Sequence, residues 1–361
     1  MADSCISQQP VLSDTWSYVS GVVLKGIELV WLDTGDKKYL HYIKRNIDQF
    51  VRPDGSIRTY VLQDYDLDQI NTGKLFFRLY QDTGDERYRQ AIRLLMRQLK
   101  TQPRTSEGGF WHKKIYPYQM WLDGIYMAAP FYAQYANCFD EPAGLDDVAD
   151  QVMLIERHTH DPRTGLFYHG WDESKRQKWA HPQTGCSPHF WGRAMGWYAM
   201  ALVDVLDSLP PSHRARDRIV TILGRMIHAL VQVQDSATGL WYQVLDRGGD
   251  LGNYVEASAS CMFVYAMAKG IRQGYLAPGC LEAARRGYTG IIKHLVEVNG
   301  HGQVNLTRIC QGAGLGREPY RDSSYAYYIG EPVLTNHPNG VGAFILASAE
   351  MERLGNRPKA D

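Results

Sequence analysis

The chain has 361 residues and a balanced charge, 39 Lys and Arg against 39 Asp and Glu. With no basic block and no acidic tail, a nucleic-acid partner is not expected. No apolar run is long enough to span a bilayer, so no membrane partner is expected either, while the length suffices for a large core. Helical periodicity dominates from the start. Val22, Val23, Ile27, Val30 and Trp31 form one apolar face, and Tyr39, Tyr42, Ile43, Ile47 and Val51 the next. Both fit a period of 3.6 rather than 2. Between them lies Asp33-Thr-Gly-Asp-Lys-Lys-Tyr39, a turn that returns as Asp82-Thr-Gly-Asp-Glu-Arg-Tyr88. Gly35 and Gly84 can close the preceding helix, and Asp36 and Asp85 can cap the following one. A second signature, Asp161-Pro-Arg-Thr-Gly-Leu-Phe-Tyr168, is echoed by Asp235-Ser-Ala-Thr-Gly-Leu-Trp-Tyr242. Further helices are predicted at about 192–207, 215–233, 256–273, 280–297 and 340–354. Repeated helix pairs with long loops suggest hairpins arranged around an axis, as an open solenoid or a closed toroid. Nothing resembles a linker, so residues 16–355 are read as one domain after an extension at 1–15.

The stretch that carries most chemistry is 116–131, centred on Asp123. Met120, Trp121, Leu122, Ile125, Tyr126 and Met127 surround this carboxylate with apolar or aromatic side chains. Burying an unpartnered charge costs several kcal/mol or more, so Asp123 either caps a helix or faces a wet pocket as an acid with a raised pKa. Asp68 begins a helix through Leu75, Phe76 and Leu79, and capping by Asp66, Asp68, Asn71 or Thr72 is the plain alternative there. Arg193, between Trp191 and Trp197, is either a buried ion pair or a cation facing a ligand, since its planar fork matches a carboxylate.

His112, His169 and His189 lie on separate loops without i,i+4 spacing, so hydrogen bonding is expected of them and no metal. No cofactor fingerprint is present, and the glycine-rich Gly312-Ala-Gly-Leu-Gly316 lacks the strand–helix context of a phosphate loop. Cys5, Cys138, Cys186, Cys261, Cys280 and Cys310 form no CxxC pair. The first ten residues lack a basic region followed by an apolar run, and a cytoplasmic protein with free thiols is expected. Nine Trp and 23 Tyr, several beside polar residues, suit a sugar ligand, although a large core uses them too.

Taken together, the motifs resemble a family. His112-Lys113, the run from Tyr116 to Ala128 with Trp121-Leu-Asp-Gly124 at its heart, and Phe190-Trp-Gly-Arg-Ala-Met-Gly-Trp-Tyr198 are similar to the unsaturated rhamnogalacturonyl hydrolases, glycoside hydrolase family 105. So are the stretches from Trp16 to Gly26 and from Asn339 to Ala347, and the likeness spans roughly 16–354. One departure is His337, in a loop where the family often has Asn followed by Asp.

The resemblance implies an all-α (α/α)6 barrel of six hairpins. It also implies a small oligosaccharide substrate ending in a 4,5-unsaturated galacturonyl sugar, hydrated at its enol ether by Asp123 as acid and then base. Asp68 would hold a hydroxyl or the water and add a like charge beside Asp123. Arg193 and Lys113 would balance the substrate carboxylate, and His112 and His169 would donate to sugar oxygens. Trp121, Trp191 and Trp197 would wall the pocket. The rivals are a hydrolase for another unsaturated uronide, a conventional inverting glycosidase or epimerase on the same fold, and a non-catalytic saccharide-binding protein.

Overall fold

The computed structural model describes residues 1–356. Thirteen helices follow in order: α1 (Ala2–Gln8), α2 (Tyr18–Thr34), α3 (Lys37–Asp48), α4 (Lys74–Thr83), α5 (Glu86–Thr101), α6 (Leu122–Cys138) and α7 (Ala143–Thr159). Then come α8 (Gly192–Ser208), α9 (Arg216–Gln232), α10 (Ala257–Gln273), α11 (Leu281–His294), α12 (Tyr325–Gly330) and α13 (Pro338–Gly355). A 3-10 helix, Leu67–Gly73, runs directly into α4.

Six of these helices form an inner ring: α2 packs on the Leu67–Gly73 segment, which packs on α6; then come α8, α10 and α13, and α13 returns to α2. The ring therefore closes, and the molecule is the toroid rather than the solenoid. Closure depends on backbone approach. A Cβ on Gly342 would lie 2.6 Å from the Val22 carbonyl carbon, and one on Gly26 would lie 3.0 Å from Ile345. Inner and outer helices differ as their positions demand. Fifteen of the 17 residues of α10 are buried, so it is apolar on nearly every face, whereas five of 12 in α3 are, on one stripe. The extension at 1–15 contains α1, which docks over the seam between the first and last repeats: Tyr39 donates to Asp3, and the Val304 amide donates to Ser4.

Both repeated turns form as their residues require. Asp36 accepts from the Lys38 amide at 2.9 Å and Asp85 from the Arg87 amide at 3.1 Å, while Gly35 and Gly84 close α2 and α4 at positive φ. The other pair shares Asp161–Thr164 and Asp235–Thr238 side-chain bonds. One boundary differs. The helix predicted to reach 297 ends at His294, because Val296–Val298 pairs with Val304–Leu306 across the Asn299 turn. In that hairpin three β-branched valines, Val296, Val298 and Val304, prefer the strand.

Two short strands matter for the site. β1 (Gln119–Trp121) pairs antiparallel with β2 (Gly170–Asp172), Trp121 opposite Gly170. The ladder continues as Leu122 N–H to the His169 carbonyl, 3.0 Å, which puts the start of α6 beside His169.

Candidate active site

The inner helices deliver their N-terminal residues to one end of the toroid. The second residue of the 3-10 segment is Asp68; of α6, Asp123; of α8, Arg193; of α10, Ser258; of α13, Asn339; and α2 begins at Tyr18. These groups meet. Asn339 Nδ2 lies 3.3 Å from the Tyr18 hydroxyl, and Arg193 Nη1 lies 3.3 Å from Ser258 Oγ. Tyr18 feels the charges of Asp68, Asp123 and Arg193 together. Asp68 and Asp123 keep 17% and 12% of their side-chain surface exposed, so the pit they share opens to solvent. Converging helix N-termini favour negative charge.

Asp123 does not cap α6. The N-cap is Trp121, and Asp123 makes no capping bond. Its Oδ2 is buried without a hydrogen-bond partner and lies 3.3 Å from His169 Nε2. His169 is held from behind by the Tyr328 hydroxyl, 2.9 Å from Nδ1. Gly124 is needed beside the acid, since a Cβ there would sit 3.0 Å from His112 Nδ1.

The other carboxylates around the pit are engaged. Glu256 caps α10, accepting from the Ser258 and Ala259 amides and the Ser258 hydroxyl, and it also accepts from the Cys310 amide. Asp68 is bound by Lys113 at 2.5 Å and lies 3.7 Å from His112 Nε2. Burial opposes ionisation of Asp68, but Lys113 holds its carboxyl below the ordinary range. Capping in this segment is done by Asp66, which accepts from the Asp68 amide. Burial and the neighbouring Asp68 push Asp66 up to about 6. Burial drives His112 down to about 4, so it is neutral near pH 7 and offers one N–H.

Several sequence expectations need correcting. Lys113 is not a free cation for a substrate: it bridges Asp66 at 3.1 Å and Asp68. Asp68 is consequently no isolated like charge beside Asp123. Trp197 does not wall the pit. It is fully buried, stacked on Tyr126 with centroids 4.9 Å apart and edge-on to Tyr18, because it lies one turn further along α8 than Arg193 on the same face. Trp191 is also buried, its Nε1 donating to Gln243 at 3.1 Å; it packs under His169 and Tyr328 and shapes the wall from behind. Trp121 stacks on His112 and Tyr116, with centroids 4.3 and 4.7 Å away. Arg193 fits neither simple reading. It has no ion pair within 4 Å among the described residues; Nη1 donates to the Cys310 carbonyl at 2.7 Å, and Nη2 is buried without a partner. Its fork is anchored on one nitrogen and open on the other.

The sequence reading singled out neither Tyr18, Glu256, Ser258, Tyr328 nor Asn339 for the site. Tyr18 and Asn339 lay inside quoted motifs, and the available signal was positional: Asp123, Arg193, Ser258 and Asn339 each precede Gly or Ala at the start of an apolar helix. His189 packs edge-on to Tyr325 and Tyr328, and burial lowers its pKa. His337, the departure noted above, caps nothing by its side chain, and burial followed by the Arg193 charge holds it down to about 4.

A carboxyl group with one oxygen left without a hydrogen-bond partner, in a polar pit with flat aromatic walls, is the equipment of an enzyme that cleaves saccharides. The comparisons agree. The family model described as Glycosyl Hydrolase Family 88 matches residues 1–355. A solved family 105 glycoside hydrolase from C. acetobutylicum is 48% identical, covers 98% of each chain and superposes with a TM-score of 0.96. The unsaturated rhamnogalacturonyl hydrolase YesR of Bacillus subtilis is 28% identical over 258 residues, 70% of this chain and 70% of that protein. An unsaturated 3S-rhamnoglycuronyl hydrolase of an Alteromonas species is 25% identical over 64% of this chain and 50% of its own length. The chain belongs to the glycoside hydrolase 88/105 family and is a glycosidase.

The open nitrogen of Arg193 makes a testable point. Arg193→Lys keeps a charge but cannot hold the Cys310 carbonyl and reach the pit at once. A charge-assisted hydrogen bond contributes about 1.5–3 kcal/mol, so KM should rise by about 10- to 100-fold with an unchanged circular dichroism spectrum. An unchanged KM, or loss of the fold, would assign Arg193 to the structure alone.

Proposed function

We propose that this glycosidase removes a 4,5-unsaturated galacturonyl residue from the non-reducing end of rhamnogalacturonan-derived oligosaccharides by hydrating its enol ether. The observation that carries the reading is the inequality of the three carboxylates. Asp68 is paired, Glu256 is saturated by hydrogen bonds, and Asp123 alone has an oxygen without a hydrogen-bond partner. Conventional glycosidases need two working carboxylates. Hydration of an enol ether needs one that donates and then accepts.

The steps follow from that residue. Protonated Asp123 delivers its proton to C4, and the C4=C5 electron pair forms the new C–H bond. The positive charge settles on C5 and the ring oxygen. Water adds at C5 and returns a proton to the Asp123 carboxylate. The hemiketal opens to a C5 ketone, and the freed oxygen at C1 expels the remaining saccharide as its alcohol. His169 Nε2 faces Asp123 and orients it or the water; neutral His112 and the open Arg193 nitrogen offer donors to the sugar hydroxyls and carboxylate.

The choice of galacturonyl and rhamnose is supported by the motif resemblance and by YesR's description; the Alteromonas relative's description makes another unsaturated uronide the runner-up. Six unpaired cysteines support a cytoplasmic setting. In ¹⁸O water the label should enter the ring-opened keto product, with the hydroxyl of the released saccharide unlabelled at early times. Label confined to the anomeric carbon would restore the conventional route. Loss of the enol-ether absorbance on a panel of unsaturated disaccharides ranks the substrates.

A further inference from the structure

At the opposite end of the toroid from Asp123 lies a second polar cavity of about 450 Å³, where α2, α8, α10 and α13 meet the start of α4. Five cations line it, Lys25, Lys74, Lys269, Arg272 and Arg353, against four carboxylates, Glu28, Asp204, Asp207 and Glu350. Every carboxylate is already paired. Lys25 holds Glu28; Lys269 holds Asp204 at 2.7 Å and Asp207 at 2.6 Å; Arg272 holds Glu350 at 2.6 Å, with Arg353 beside it at 3.3 Å. Lys74 is the cation left over. It is 2% exposed, and its Nζ has no hydrogen-bond acceptor among the described residues. Its direct contact is the face of Tyr126, 3.6 Å from the ring centroid.

A buried ammonium with three unused donors is a costly arrangement in a fold that could place Met or Leu there. Burial pushes its pKa down to about 7, with Lys25 and Lys269 acting the same way against Asp204 and Glu28. Arg353 is itself held by Asp33 at 2.6 Å, so what the site lacks is a set of acceptors for the Lys74 ammonium. We infer that this cavity binds a small monovalent anion, a halide or a short carboxylate, on Lys74 Nζ, with Tyr126 beneath the ammonium. None of the four lining carboxylates accepts a hydrogen bond from Lys74 Nζ, although Asp204 and Glu28 act on it through space. The catalytic pit plays no part in this site, so the inference stands apart from the substrate reading.

Melting curves of the wild type and of Lys74→Met at pH 6, in matched series of sodium chloride and sodium acetate, test it. General salt effects act on both proteins alike. Specific binding should raise the wild-type Tm by about 2 °C more than that of Lys74→Met at saturation, in at least one of the two salts. The salt that does so identifies halide or carboxylate as the ligand. Parallel responses in both salts would overturn the proposal. Independently of any variant, crystals grown in bromide should show an anomalous peak within hydrogen-bonding reach of Lys74 Nζ if the ligand is a halide. A chloride-specific melting response without that peak would also overturn it.

Discussion

Asp123→Asn should fold normally, bind the unsaturated oligosaccharide, and lose turnover by about 10²–10⁴-fold or more. The geometry separates this outcome from a capping defect. Trp121, not Asp123, is the N-cap of α6, so the substitution removes no cap bond. Asparagine keeps the size of the side chain and an acceptor oxygen. What it lacks is a proton to give to C4 and a carboxylate to take one from water. Asp68 cannot substitute, because Lys113 keeps it ionised, and Glu256 cannot, because its oxygens are filled by amides and a hydroxyl. A single-turnover assay with a separate binding measurement checks it. The defect should sit in kcat, with substrate affinity within a few-fold of wild type. A rate near that of the wild type would remove Asp123 from the chemistry.

Much of the fold was legible because its signals are local. The Thr-Gly-Asp turns announce one helix end and the next start in four residues, and both form. Ring closure was not local: it rests on Gly26 and Gly342, far apart in sequence, coming close enough that a side chain on Gly342 would strike the Val22 backbone and one on Gly26 would crowd Ile345. At the site, Asp123 stood out because a carboxylate among aromatics has few places to go. Lys113 was misread because its partners, Asp66 and Asp68, lie on another segment, and charge pairing between neighbouring loops leaves no trace in spacing. Trp197 was misread for the converse reason. The motif places it one helical turn beyond Arg193, on the same face of α8 but deeper, where it stacks on Tyr126 below the pit.

Lys74→Met should be more stable than the wild type in buffer free of small anions, and the gain should depend on pH in one direction. Burial lowers the folded-state pKa of Lys74 from 10.5 to about 7. A group of this kind favours the unfolded chain while it must be carried as a cation. Below pH 7 both states are protonated and the full penalty applies; between 7 and 10.5 the folded state is neutral and the penalty shrinks; above 10.5 it is gone. A tenfold change in an ionisation equilibrium corresponds to about 1.4 kcal/mol, so the buried charge costs about 5 kcal/mol at pH 6. Methionine gives up the ammonium–Tyr126 contact, about 1 kcal/mol, and replaces it with a thioether on the same ring. The expected net gain is about 2–4 kcal/mol at pH 6, closing towards zero near pH 10.5. Urea titrations of both proteins at the two pH values measure it. The groups around Lys74, namely Lys25, Glu28, Asp204 and Lys269, are common to both proteins, so their own titration cancels to first order in the difference. Adding the anion that Lys74 binds should narrow the gap from the wild-type side. A gap that did not change with pH would mean that Lys74 is solvated in the folded protein, and a less stable Lys74→Met at both pH values would mean that the ammonium already has a partner.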